Sequence, residues 1–318
     1  MKQRRAWVRL AAVVAMPALF LSGCGSSDPT STDTDTTATD VAGPTEEGEA
    51  GGGETIIIGS ADFAESQLLA IIYSHALANA GVTVEEKLNI GSREIYIQAL
   101  NDGSIDLLPE YTGYLLAELD PEATEKDPVK VVELLDAVLP DGIEQLDVAT
   151  AEDKDVLCVT AATADQYGLS KISDLAAVGG EMVLAGPSEW KERYQGVPGL
   201  EDLYGITFKE FKVFDAGGPL TLAALVNGQA QAGDMFSSDP AIPENDLVAL
   251  EDDKYLFMPA QVVPIIRTSK TTDTVRSTLN AVQAVLTTDD LLAMNARVNA
   301  GEDLEVIADD WLKEKGLL

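Results

Sequence analysis

The sequence predicts a mixed α/β protein of two lobes with a ligand cleft between them, and three observations carry that expectation. Short apolar runs alternate with segments of helical spacing, the pattern of βα units around mainly parallel sheets. The alternation runs twice, restarting after Pro140-Asp141-Gly142. A late apolar run over 262–267 precedes amphipathic helices that need a sheet to cover. The chain is therefore expected to cross between lobes twice, near Thr150 and again near 261–264, which makes a hinge.

The first lobe opens on a strand at 55–58, stopped by Gly59-Ser60. Leu68, Ile72, Ala76 and Ala80 then recur at helical spacing, and Gly81 ends that helix as a C-terminal cap does. Residues 82–88 read as a second strand, 93–101 as a helix after the turn Gly91-Ser92, 105–108 as a third strand and 129–139 as another helix. Pro109, Glu110, Tyr111, Thr112 and Gly113 stand between the third strand and the helical run behind it. Such a junction is where α/β proteins hold ligands, because strand ends converge there and helix N-termini offer free amides. In the second lobe, 155–160, 182–185, 209–214 and 233–236 are strands, separated by helical stretches at 173–178, 189–194 and 220–227. Val275, Leu279, Val282 and Leu286 mark a long amphipathic helix near the end.

The N-terminus points to a compartment. Lys2, Arg4, Arg5 and Arg9 precede the apolar run 11–21, which is short for a membrane span and reads as a secretory signal peptide over 1–23. Leu21-Ser22-Gly23-Cys24 resembles the bacterial lipobox, in which cleavage before the cysteine leaves it lipidated. Gly, Ser, Thr, Asp and Glu dominate the residues behind it, so 24–53 reads as a lipidated Cys24 and a disordered tether. The expected placement is the extracytoplasmic face of the cell membrane, held only by the lipid anchor. Lobe 1 is assigned to 54–150 plus 263–318 and lobe 2 to 151–262.

A formal charge of −33 repels nucleic acid and anionic lipid headgroups. Catalytic machinery is hard to assemble. His75, the one histidine, lies inside a helix, where a half-buried structural role is expected. Of the two cysteines, Cys24 is the expected lipid site and Cys158 sits in an apolar run as a small buried hydrophobe. GxSxG, GxxxxGK[ST] and GxGxxG motifs are missing. Asn101-Asp102-Gly103-Ser104-Ile105-Asp106 fails the EF-hand spacing and reads as a turn. No catalytic residue, metal or cofactor is expected.

Three stretches carry a resemblance: Ile57-Ile58-Gly59-Ser60-Ala61-Asp62-Phe63-Ala64-Glu65-Ser66, Leu88-Asn89-Ile90-Gly91-Ser92-Arg93-Glu94 and Asp106-Leu107-Leu108-Pro109-Glu110-Tyr111-Thr112-Gly113. With Phe236-Ser237-Ser238-Asp239 and Val263-Pro264-Ile265-Ile266-Arg267 behind them, the chain resembles the glycine betaine/choline/proline-betaine substrate-binding proteins of osmoprotectant ABC transporters over nearly all of 55–315. The resemblance implies a type II periplasmic-binding-protein fold that closes on its solute as a monomer and delivers it to a membrane permease and its ATPase. A quaternary ammonium has no N–H to donate, so ring faces hold it, at about 0.5–2 kcal/mol per ring. The resemblance makes Tyr111 one wall of an aromatic box and Arg193 the guanidinium that grips a betaine carboxylate. Phe236 replaces a family tyrosine and keeps the ring face. Asp155 and Ala260 or Gln261 fall on two further tyrosine positions, and Ala61 on a lysine. Phe63 and Trp190 could stand in as rings, and Ser60, Ser92 and Asp155 point toward the cleft from strand edges and turns. A carboxylate such as Asp155 could neutralise a cation directly. The competing readings are a binder of another small polar or cationic solute, such as an amino acid or polyamine, and, further off, an extracellular enzyme or sensor module.

Overall fold

The computed structural model describes residues 55–318. The expected signal peptide, lipidated Cys24 and tether lie outside the described residues. Among the described residues no helix is long and apolar enough to cross a membrane.

The chain begins β1 (Ile56–Gly59), α1 (Ala64–Asn79), β2 (Val84–Lys87), α2 (Arg93–Asp102), β3 (Leu107–Tyr111), α3 (Thr112–Leu119), α4 (Pro128–Val138) and β4 (Ile143–Gln145). It continues with β5 (Asp155–Thr160), α5 (Ala161–Tyr167), β6 (Val183–Gly186), α6 (Val197–Asp202), β7 (Glu210–Val213), α7 (Pro219–Val226), β8 (Ala232–Phe236), α8 (Ala241–Glu244) and β9 (Leu247–Ala249). It ends with β10 (Val262–Arg267), α9 (Asp273–Val285), α10 (Thr288–Asn299) and α11 (Leu304–Lys315). Two five-stranded sheets result, β2-β1-β3-β10-β4 and β7-β6-β8-β5-β9. Each pairs three parallel strands with one antiparallel strand, β10 in the first and β5 in the second, that reaches an edge strand.

Strand alternation divides each sheet's core in two. Leu107, Val262 and Ile266 pack against α1, α9 and α11, while Leu108, Val263 and Ile265 face Tyr96, Leu100, Leu115 and Leu135 on the other side. Leu157, Val159 and Leu184 bury one face of the second sheet, and Cys158, Ala185 and Met235 the other, so Cys158 is buried as expected. His75 is half-buried, its ring nitrogens 2.8 Å from Glu305 and 2.8 Å from Asp309, tying α1 to α11.

β3 departs from the expected junction. It runs on through Pro109 and Glu110 to Tyr111, because β10 lies antiparallel beside it with Val262 opposite Tyr111 and Pro264 opposite Pro109. The stretch at 189–194 is a short 3-10 turn over Ser188–Lys191 and not an α-helix, and 173–178 is likewise 3-10, over Ile172–Ala177. Gly196 folds back on that first turn so closely that a Cβ would stand 2.2 Å from the Trp190 carbonyl oxygen, which leaves no room for another helical turn.

The chain passes between the sheets at 146–154 and again at 250–261, and these crossings pair with each other. Glu152 bridges Gln261, the Asp153 amide donates to the Ala260 carbonyl at 3.0 Å, and the Val262 amide to the Ala151 carbonyl at 3.0 Å. Gly113 packs under this hinge, where a Cβ would meet the Pro259 carbonyl oxygen at 2.4 Å.

Candidate functional site

A cavity of about 560 Å³ opens between the two sheets, a volume suited to a small solute. Tyr111 reaches it from the end of β3, Phe63 from the N-terminus of α1, and Phe236 from the end of β8. The ring centroids of Phe63 and Tyr111 lie 6.1 Å apart and those of Phe63 and Phe236 5.3 Å apart, both tilted. Gly217, in the left-handed region at φ +60, lies flat on the Phe236 ring, where a Cβ would come within 2.7 Å of it. Behind Phe63 and Phe236 a second cavity of about 630 Å³ holds Glu65, Asp215, Asp239 and Glu244 and no basic side chain among its described lining.

Seven of the eight residues singled out from the sequence line the first cavity: Tyr111, Arg193, Phe236, Asp155, Phe63, Ser92 and Trp190. Ser60 does not. It is fully buried, and its hydroxyl donates to the Ala61 carbonyl at 2.9 Å and accepts from the Asn89 amide at 2.9 Å, pinning the turn after β1. Trp190 shows the cavity only an edge, since its ring stacks on Phe257 at 6.1 Å in the core of the second sheet. Ala260 is buried at the hinge, outside the cavity lining, and Gln261 donates to the Ala149 carbonyl.

Hydrogen bonds from both lobes meet around the rings. The Tyr111 hydroxyl donates to Glu65 Oε1 at 2.6 Å, while Ser238 Oγ (2.8 Å) and Asn295 Nδ2 (2.6 Å) donate to Glu65 Oε2. The Asp155 amide donates to the Tyr114 hydroxyl at 2.7 Å. Asp153 accepts from Ser237 Oγ at 3.1 Å and the Ser238 amide at 2.8 Å. Beneath the cavity Glu110, wholly buried, accepts from Arg93 Nε (2.7 Å) and Nη2 (3.1 Å), the Tyr96 hydroxyl (2.6 Å) and the Tyr111 amide (2.7 Å). Glu110 is thus a structural anchor for the strand end that presents Tyr111.

Arg193 does not wait for a carboxylate. Its Nε and Nη2 each donate to Glu94 at 2.9 Å, a two-pronged ion pair from the second lobe to α2 of the first. Burial works against ionising Glu94, but hydrogen bonds from Arg193 and Ser92 hold its carboxyl down at about 2. Glu94→Gln is expected to loosen this clasp and enlarge the ligand-free protein's radius of gyration in small-angle X-ray scattering. An unchanged scattering curve would show that the pair does not hold the lobes together.

The acids at the cavity floor have the opposite character. Burial pushes Asp155 up to about 6 despite the Tyr114 hydroxyl and the two arginines nearby. Burial also raises Asp153 and Asp234 well above the usual carboxylate range, with Glu65 adding to the first and Asp155 to the second. Arg93, Glu94, Tyr114, Asp153 and Asp234 were not singled out from the sequence. Asp234 precedes Phe236 by two on a strand and so shared a face with a residue that was, whereas Tyr114 lies in α3, beyond the strand that ends at Tyr111.

Two α/β lobes joined by paired crossings, with a ring-lined cavity between them, are the architecture of a binding protein for a small solute. The family described as the substrate binding domain of ABC-type glycine betaine transport systems matches residues 54–314, and the chain belongs to it. The protein is accordingly the extracytoplasmic substrate-binding component of an ABC transporter, in a family of transport proteins and not of enzymes. It is 28% identical over 274 residues to the carnitine transport binding protein OpuCC of Listeria monocytogenes, covering 82% of this chain and 87% of that protein. It is 27% identical over 282 residues to the glycine-betaine-binding protein of Pseudomonas aeruginosa, covering 83% of this chain and 89% of that one. Among solved structures, that of a glycine betaine/carnitine/choline ABC transporter protein superposes with a TM-score of 0.66 at 24% identity, over 82% of this chain and 99% of the other, and shows the shared type II fold.

Proposed function

We propose that the cleft captures a solute bearing a methylated ammonium group, of the glycine betaine, choline or carnitine class, and hands it to a membrane permease powered by its ATPase. The observation that carries this is the cluster of Phe63, Tyr111 and Phe236 facing one interlobe cavity, since ring faces attract a cation that has no N–H to donate. The protein works as a monomer whose lobe 1, at 54–150 plus 263–318, rocks against lobe 2, at 151–262. Tyr111→Ala is expected to weaken binding about tenfold, within what one ring contributes. Titration calorimetry against choline, glycine betaine, proline betaine and carnitine tests the assignment, and absence of heat from all four would remove it.

Anchoring through a lipid on Cys24 rests on the sequence alone. Labelled palmitate is expected to enter the wild-type chain in bacterial cells and not the Cys24→Ser variant. Equal labelling of both would end the anchor assignment.

A further inference from the structure

The rings leave part of the cavity unexplained. Asp234 lines it at 1% exposure, and its Oδ1 has no hydrogen-bond partner. Beside it stands the carboxyl of Asp155, itself 8% exposed and lining the same cavity, which adds to the rise in Asp234's pKa. Register puts the three groups together: Asp155 pairs with Phe236 across β5 and β8, and Asp234 lies two residues before Phe236, on the same face of the sheet. No cation in the described lining is free to answer these acids, because Arg93 is held by Glu110 and Arg193 by Glu94. Burial keeps these acids from ionising while the cleft is empty, and a cation with a proton to give would supply the donor that the buried Asp234 Oδ1 lacks.

We infer that Asp234, with Asp155, is a donor-reading subsite, and that the preferred solute is a protonated amine keeping at least one N–H for Asp234 while its alkyl groups face Phe63, Tyr111 and Phe236. The inference rests on the reading that this cavity holds an ammonium group, and it changes which ammonium. A fully methylated nitrogen satisfies the rings and leaves Asp234 Oδ1 unpaired. A primary amine satisfies Asp234 and offers the rings little. A dimethylated amine does both.

The experiment is a methylation series on one scaffold: ethanolamine, N-methylethanolamine, N,N-dimethylethanolamine and choline, titrated calorimetrically into the wild-type protein, with glycine betaine as a further probe. The hydroxyl is common to the four aminoalcohols, so the series varies N–H count and methyl count alone. The dimethyl compound is expected to bind at least about tenfold more tightly than choline, as a buried acceptor left without its donor implies. In Asp234→Asn and in Asp155→Asn the preference should fall to within about threefold. The wild-type series stands without either variant should one fail to fold. Affinity that climbs steadily to choline, with Asp234→Asn silent, would overturn the donor subsite and leave the ring-cage reading standing. Binding of the amines with no binding of choline or glycine betaine would support the subsite and remove the quaternary assignment. No heat from any probe would overturn both.

Discussion

Replacing Glu110 with alanine is expected to destabilise the fold by about 3–5 kcal/mol, the range for removing one partner of a buried ion pair. Arg93 is 9% exposed, and Glu110 holds its guanidinium at two points. Truncation leaves that charge buried, with the Tyr114 ring 5.5 Å below it as a weak substitute. It also strips the acceptor from the Tyr96 hydroxyl and the Tyr111 amide. Denaturant unfolding measures the loss, and a shift under about 1 kcal/mol would mean that Arg93 finds another carboxylate, with Asp155 the nearest in kind. The double variant Arg93→Met/Glu110→Leu is expected to recover most of the stability, because well-packed apolar side chains replace buried ion pairs at little cost. If it recovers, the acid of the Pro-Glu-Tyr-Thr-Gly stretch serves the scaffold.

The same stretch shows how far the sequence could be read. Its apolar run announced a strand, and its register with the Gly-Ser segment near residue 60 announced a binding fold. Where the strand stops was not visible, because that depends on β10, whose residues lie some 150 positions away and impose pairing as far as Tyr111. Phe63, Tyr111 and Phe236 were legible as cavity-lining rings because the resemblance pointed to aromatic side chains at or near those positions. Glu65 was not, since its partners Ser238 and Asn295 are 173 and 230 positions off. Trp190 was offered as a wall on proximity in sequence, but its ring is engaged by Phe257 from the second crossing. Arg193 shows the same limit from the other side: the residue was found, and its partner Glu94 was not. Local periodicity fixes elements and faces, whereas pairings across a hundred residues decide which polar groups remain free for a solute.

The ligand-free protein is expected to lose stability as pH rises from 5 to 8. Asp155 stands at about 6 in the fold against 3.8 for its ordinary value, and burial is the main cause. The native state therefore binds more protons than the unfolded chain between those values, so this contribution is fully present below 3.8 and is lost as pH climbs through 6. For one carboxyl the full loss is on the order of 3 kcal/mol, of which about half falls above pH 5. Asp153 and Asp234, raised further, extend the decline upward. Of the other groups facing the cluster, Arg93 and Tyr114 are both pushed up, which keeps the arginine charged and the tyrosine neutral across this interval. Carboxyls held below their ordinary values, such as Glu94, Asp174 and Asp290, act in the opposite direction at lower pH. Thermal unfolding in buffers from pH 5 to 8 should thus show a falling Tm, and Asp155→Asn should flatten the slope by removing one of the three buried acids. A Tm that rises with pH would mean that the three acids are already ionised in the empty cleft, and that something other than a missing cation holds them there.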